Sequence, residues 1–231
     1  MLKVTRQNLD AAAKIRLLPE LSSWNDADQA LKNLRQYFPD NTNRVHVLIK
    51  ASAIDKLYST RAANIFWVAD AIVAVMKEND FLLPVDGLID IVEAISSKKR
   101  NAHLKATHCL SFASKYCHFF IDDSTFPLYD SFALAAVRNL LGRMSGRLTS
   151  GDNDNHEYRD FYERLSKLKV RDGLEDVSVR EMDRFLWLWG QWILQKKREE
   201  KVVNEDVYAI FTSTQQTVQK LLEDLQPLQL V

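Results

Sequence analysis

The residue with the clearest chemical potential in this sequence is Asp130, which ends the run Phe126-Pro127-Leu128-Tyr129-Asp130 and stands where a helix N-cap belongs. A carboxylate at that position accepts hydrogen bonds from the first turn of the helix that follows, here residues 131–143. Fixed at a helix start beside cationic groups, it could instead stabilise the positive charge that develops on a sugar as a glycosidic bond breaks. Cations are close in sequence. Between residues 98 and 150, Lys98, Lys99, Arg100, Lys105, Lys115, Arg138, Arg143 and Arg147 stand against only Asp122, Asp123 and Asp130. Such a zone can contact phosphates, with helix N-termini assisting, and the same count also describes a solvated face.

Three other groupings could carry chemistry. His103, His108, His118, Cys109 and Cys117 lie near one another, but none of the close pairs that mark zinc sites is present, and no metal is expected. Asp152, Asn153, Asp154 and Asn155 offer oxygen ligands at alternating positions. They lack the central glycine and the distal glutamate of a calcium loop, so a solvated loop is expected. Trp187, Trp189 and Trp192 could form a stacking platform, yet with Phe185, Leu186 and Ile193 they recur at the helical spacing of a core face.

Helices must position all of these. Only 6 glycines and 5 prolines punctuate 231 residues, too few for a β-sandwich or barrel. Apolar residues recur with helical period through most of the chain. One helix enters near Asn25-Asp26 and stops at Pro39, and the next runs from Val45 to Leu57. Thr60 is the expected N-cap of a strongly apolar helix through Ile65, Val68, Ile72 and Met76, which reads as the central core helix. Further helices are expected at 85–95, 105–119, 131–141, 157–169, 178–199 and 205–225, with 121–129 extended around Pro127. The fold class expected is all-α, with about nine to ten helices. Residues 1–231 form a single all-α unit, which divides, if it does, into lobes 40–150 and 1–39 plus 151–231 around a cleft.

Composition narrows the function classes. Apolar residues make up 46% and charged residues 27%, the balance of a folded globular chain. Lys plus Arg and Asp plus Glu number 31 each, so any polyanion site must be a local patch. The N-terminus has no signal-peptide pattern and no apolar run reaches membrane-spanning length, so no membrane association is expected. Cys109 and Cys117, eight residues apart along one expected helix, would sit roughly 12 Å apart and cannot bridge each other. Free thiols point to a reducing cytoplasm.

The runs Ser114-Lys115-Tyr116-Cys117-His118-Phe119, Phe126-Pro127-Leu128-Tyr129-Asp130-Ser131 and Val137-Arg138-Asn139-Leu140-Leu141-Gly142 together resemble the helix-hairpin-helix DNA glycosylase superfamily. More narrowly, they are similar to bacterial proteins described as 8-oxoguanine DNA glycosylase-like. Residues 47–73 and 183–190 extend the likeness to about two-thirds of the chain. In that superfamily a helix leads through an extended, proline-containing segment to a catalytic aspartate that opens the next helix, and Asp130 falls on that aspartate. Departures are equally specific. The stretch corresponding to the phosphate-binding hairpin, 107–111, has no glycine, and Ser111 occupies the register of the Schiff-base lysine. The four-cysteine cluster motif is absent too, so no cofactor is implied.

The resemblance implies a DNA-binding protein that flips a damaged base and cleaves its N-glycosidic bond with Asp130, hydrolytically and without lyase chemistry. Lys98, Lys99, Arg100, Lys105, Lys115, Arg138 and Arg143 would contact DNA. The alternative keeps the fold without the reaction, as a catalytically inactive helical module for nucleic-acid or protein interaction in which Asp130 is only a cap.

Overall fold

A computed structural model of the chain describes residues 2–60, 64–78, 85–97, 109–141, 157–197 and 204–229. These hold eleven α-helices: α1 (Arg6–Arg16), α2 (Ser22–Tyr37), α3 (Arg44–Leu57), α4 (Ile65–Glu78), α5 (Val85–Ser97), α6 (Leu110–Phe120), α7 (Ser131–Leu141), α8 (Glu157–Asp172), α9 (Val179–Lys197), α10 (Glu205–Phe211) and α11 (Gln216–Asp224). A 3-10 turn, Pro19–Leu21, and two two-residue strands, β1 (Leu2–Lys3) and β2 (Leu228–Gln229), complete them. The protein is all-α. None of these helices is long and apolar enough to cross a membrane. The chain divides into two compact units, Met1–Asp26 with Asp130–Ser150 and Phe161–Val231, and Ala27–Tyr129 with Gly151–Asp160.

The first unit is organised on α9, whose Met182, Phe185, Leu186, Leu188, Trp189 and Ile193 are buried. α7 packs on it through Ala133, Ala136, Val137 and Leu140, and α1 packs on both α9 and α11. Gly190 lets α7 approach closely. A Cβ built there would lie 2.0 Å from the Phe132 carbonyl oxygen. The tryptophans of α9 are met from within this unit. Trp189 donates from Nε1 to Asn139 Oδ1 at 3.1 Å, Trp187 lies against Trp24 with the Arg16 guanidinium 5.8 Å from its ring centre, and Trp192 meets Phe211 edge-on.

The N-terminal residues are stitched to this unit. β1 pairs antiparallel with β2, Leu2 opposite Gln229. Asp172, buried at the end of α8, accepts from the Val4 amide at 2.9 Å. Beside it the Arg171 guanidinium donates to Leu2 O, Leu140 O and the Asp172 carboxylate.

The second unit is organised on α6, where every residue from Phe112 to Phe120 is buried. α3 packs against α4 and α6, and α5 against α4 and α6. The most apolar stretch of sequence, α4, is therefore not the central helix. It leaves Phe66 58% exposed, whereas α6 carries Ser114, Lys115 and His118 inward because each has hydrogen-bond partners there.

Several boundaries differ from the sequence reading. α1 was not expected at all; a capping box starts it, with Thr5 and Asn8 exchanging hydrogen bonds. Thr60 does not cap α4. Its hydroxyl donates to Asp55, and Asn64 Oδ1 takes the Trp67 amide instead. Residues 205–225 form two helices rather than one, because the Thr212 hydroxyl bonds back to Tyr208 O and Gln215 turns extended at the start of α11.

Candidate functional site

The segment before Asp130 is held by side chains of α6 and of the first turn of α8. Pro127 has no amide hydrogen and disfavours a helical Phe126, so this stretch runs extended and its polar groups need outside partners. His118 Nδ1 meets Phe126 O at 2.7 Å, which for a neutral ring makes Nδ1 the protonated nitrogen. The Tyr158 hydroxyl donates to Pro127 O at 2.8 Å. Ser114 Oγ accepts the Tyr129 amide at 3.0 Å, and the Tyr129 hydroxyl bonds to Glu157. Glu93 on α5 in turn accepts the Tyr158 and Arg159 amides, closing the start of α8.

These bonds give Ser114 a specific role. Ser114→Ala would leave the buried Tyr129 N–H without its acceptor and should lower stability by about 2 kcal/mol, measured by urea unfolding. A change below about 0.5 kcal/mol would mean that the segment is held by packing alone.

Asp130 itself lies in the first unit, half-buried, as the N-cap of α7. Its Oδ1 accepts from Phe132 N at 3.0 Å and from Ala133 N at 2.9 Å, and its carbonyl takes the first intrahelical bond from Leu134. Both hydrogen bonds fix where the carboxylate points without any long side chain being ordered. Arg138 shares α7 and is exposed, roughly 12 Å further along the axis.

Of the other expected basic contacts, Lys98, Lys99, Arg100, Lys105 and Arg143, with Arg147, lie outside the described residues. Lys115 is described and turned inward. It is 4% exposed, its Nζ donates to Ser111 Oγ at 2.9 Å, and it sits 5.9 Å from the Tyr58 ring centre. Ser111 and the Lys115 amine are thus joined one helical turn apart. His103, His108 and residues 152–155 lie outside the described residues as well. Among the described residues no three His, Cys, Asp or Glu side chains gather as a metal site. Cys109 and Cys117 are free thiols, and burial pushes the Cys117 thiol pKa up.

A second polar cluster escaped the sequence reading. Lys50, on the buried face of α3, is fully buried. Its Nζ donates to Asn41 Oδ1 at 2.5 Å and lies 5.3 Å and 5.7 Å from the Phe120 and Tyr116 ring centres. The same Asn41 oxygen accepts the Tyr116 hydroxyl at 2.8 Å, and Asn41 Nδ2 donates to Phe120 O at 3.1 Å. Arg35 completes this end of α6 by donating to Ile121 O at 2.5 Å. Burial pushes the Lys50 amine down to about 8, only partly opposed by Asp40. A signal was present. Position 50 falls on the inward stripe set by Val47, Ala51 and Ile54.

Comparison with known proteins adds one finding. Residues 10–124 match a family model, HI_0787_N, described as an N-terminal domain. That stretch includes Asn41, Lys50 and Lys115 and stops before Asp130. No curated protein and no solved structure matches the chain.

Proposed function

We propose that this chain is a DNA-binding protein of DNA glycosylase-like design in which Asp130 serves the cleavage of an N-glycosidic bond. The observation that carries the proposal is the half-buried Asp130 carboxylate, its Oδ1 fixed by two backbone amides at the head of α7. A group oriented before substrate arrives needs no reorganisation as charge develops, which is what electrostatic stabilisation of a sugar cation requires. In the reaction the damaged nucleotide is flipped out of its stack, and Asp130 stabilises the cation or orients water. Ser111 occupies the lysine register and accepts from Lys115, which favours hydrolysis over covalent amine chemistry. Phosphate contacts fall to the exposed Arg138 and to Lys98, Lys99, Arg100, Lys105 and Arg143.

The competing reading, an inactive interaction module, draws on the same two hydrogen bonds, since a cap needs nothing more. Asn caps a helix as well as Asp does, so Asp130→Asn separates the two. Wild type and variant are incubated with single-stranded and duplex oligonucleotides carrying a panel of damaged bases, and base release and binding are measured. The enzyme reading expects release by wild type, a loss of about a hundredfold or more in the variant, and an unchanged melting temperature. DNA binding without base release selects the inactive module. Neither binding at low salt nor release overturns both nucleic-acid readings.

A further inference from the structure

Lys50 is a fully buried amine, and burial makes its charged form costly there. Around its Nζ are Asn41 Oδ1 and, at 3.5 Å, the Asp40 carbonyl, with the faces of Phe120 and Tyr116 beyond. Two oxygen acceptors match the two hydrogens of an amine, whereas an ammonium brings three and a charge. No carboxylate comes within ion-pair distance of it among the described residues. The Asp40 carboxylate is engaged by Thr42 and Asn43.

We propose that Lys50 makes the connection between α2 and α3 a proton-sensitive clasp on the C-terminal end of α6, held more firmly when the amine is neutral and loosened as the amine takes up a proton. The clasp is Asn41, which joins three partners: Lys50 on α3, and the Tyr116 hydroxyl and Phe120 carbonyl on α6. When the connection lifts away, Lys50 reaches water and recovers the proton affinity of an ordinary lysine. Opening therefore binds a proton, and lower pH favours it. This goes beyond the proposed activity and does not depend on it.

The charged and titratable neighbours leave Lys50 as the group that moves. Arg35 on α2 opposes the ammonium. The hydrogen bond from Thr42 holds the Asp40 carboxyl below the usual range, so it stays ionised. Burial holds the Tyr116 hydroxyl and the Cys117 thiol on α6 protonated in the closed state. On α4, Asp70 is engaged by Arg44, and on α3 itself His46 packs edge-on against Phe38.

The test is hydrogen exchange of the full chain between pH 7 and 9, corrected for intrinsic rates, read on peptides covering 38–50 and 112–122. With Lys50 at about 8 in the closed state and near the ordinary lysine value when open, the opening constant should fall about tenfold across this range. In Lys50→Met it should be flat. The same slope in both proteins, or none in wild type, overturns the proposal. Should Lys50→Met fail to fold, the NMR titration of the Lys50 Cε signal in wild type decides. A midpoint near 8 supports the clasp, and a midpoint at the ordinary lysine value overturns it.

Discussion

Gly190→Ala is expected to destabilise the protein by about 3 kcal/mol, although alanine is the better helix former by about 1 kcal/mol. The added methyl would sit 2.0 Å from Phe132 O, 2.5 Å from Phe132 C and 2.8 Å from its Cα. All three are backbone atoms of the first turn of α7, so no rotamer change relieves the clash and the two helices must separate. That turn carries the amides that Asp130 caps, so the variant should also disturb the cap. Urea unfolding followed by tryptophan fluorescence reads the effect. Stability equal to or above wild type would mean that α7 and α9 do not meet as described. Gly173→Ala makes an instructive contrast. That glycine has open space around it and φ of +72°, so its expected penalty of about 1 kcal/mol comes from backbone conformation alone.

Arg171→Ala should cost a comparable amount, about 3 kcal/mol, by a different route. The guanidinium satisfies two carbonyls, Leu140 O at 2.9 Å and Leu2 O at 2.7 Å, and pairs with Asp172. The Asp172 side chain is 1% exposed, so truncating Arg171 strands a buried carboxylate beside the Val4 amide that it accepts from. Arg171 is itself 23% exposed, which places the expected value at the low end for a broken buried pair. Combining Arg171→Met with Asp172→Asn should cost clearly less than the sum of the two single changes, because the stranded charge disappears. Strict additivity in thermal unfolding would show that the two side chains act independently.

Helicity was readable from periodicity because most elements bury one stripe of large apolar residues. α1 was not, and its composition explains why. Its inward positions are Asn8, Leu9, Ala11, Ala12, Ile15 and Arg16, two of them polar and two of them small. Asn8 earns its burial by bonding Asp224 O and Gln226 O, partners more than two hundred residues away that no local pattern reveals. Asp130 was legible as a cap because a cap is a local matter: a short polar side chain placed immediately before an apolar helix. The charge zone was less informative. A count treats Lys115 and Arg138 alike, yet one points into the fold at Ser111 and the other into solvent. Lys50 was overlooked for the converse reason, since a single lysine inside an apolar stripe is easily taken for a surface residue that strays.

The interleaved composition of the first unit has a consequence for synthesis. Its pieces, Met1–Asp26, Asp130–Ser150 and Phe161–Val231, are separated by the sequence of the other unit. α1 packs on α9 and α11, near the far end of the chain. On a ribosome that builds from the N-terminus at about 5–20 residues per second, α1 is made well before α9 and waits roughly ten seconds or more for it. During that interval Leu9, Ala12 and Ile15 have no native surface to meet. The second unit has α2 through α6 in hand well before then, so it can begin to organise while α1 is still unclaimed. α1 is therefore exposed to chaperones and to misassociation while its partner helices are still being made.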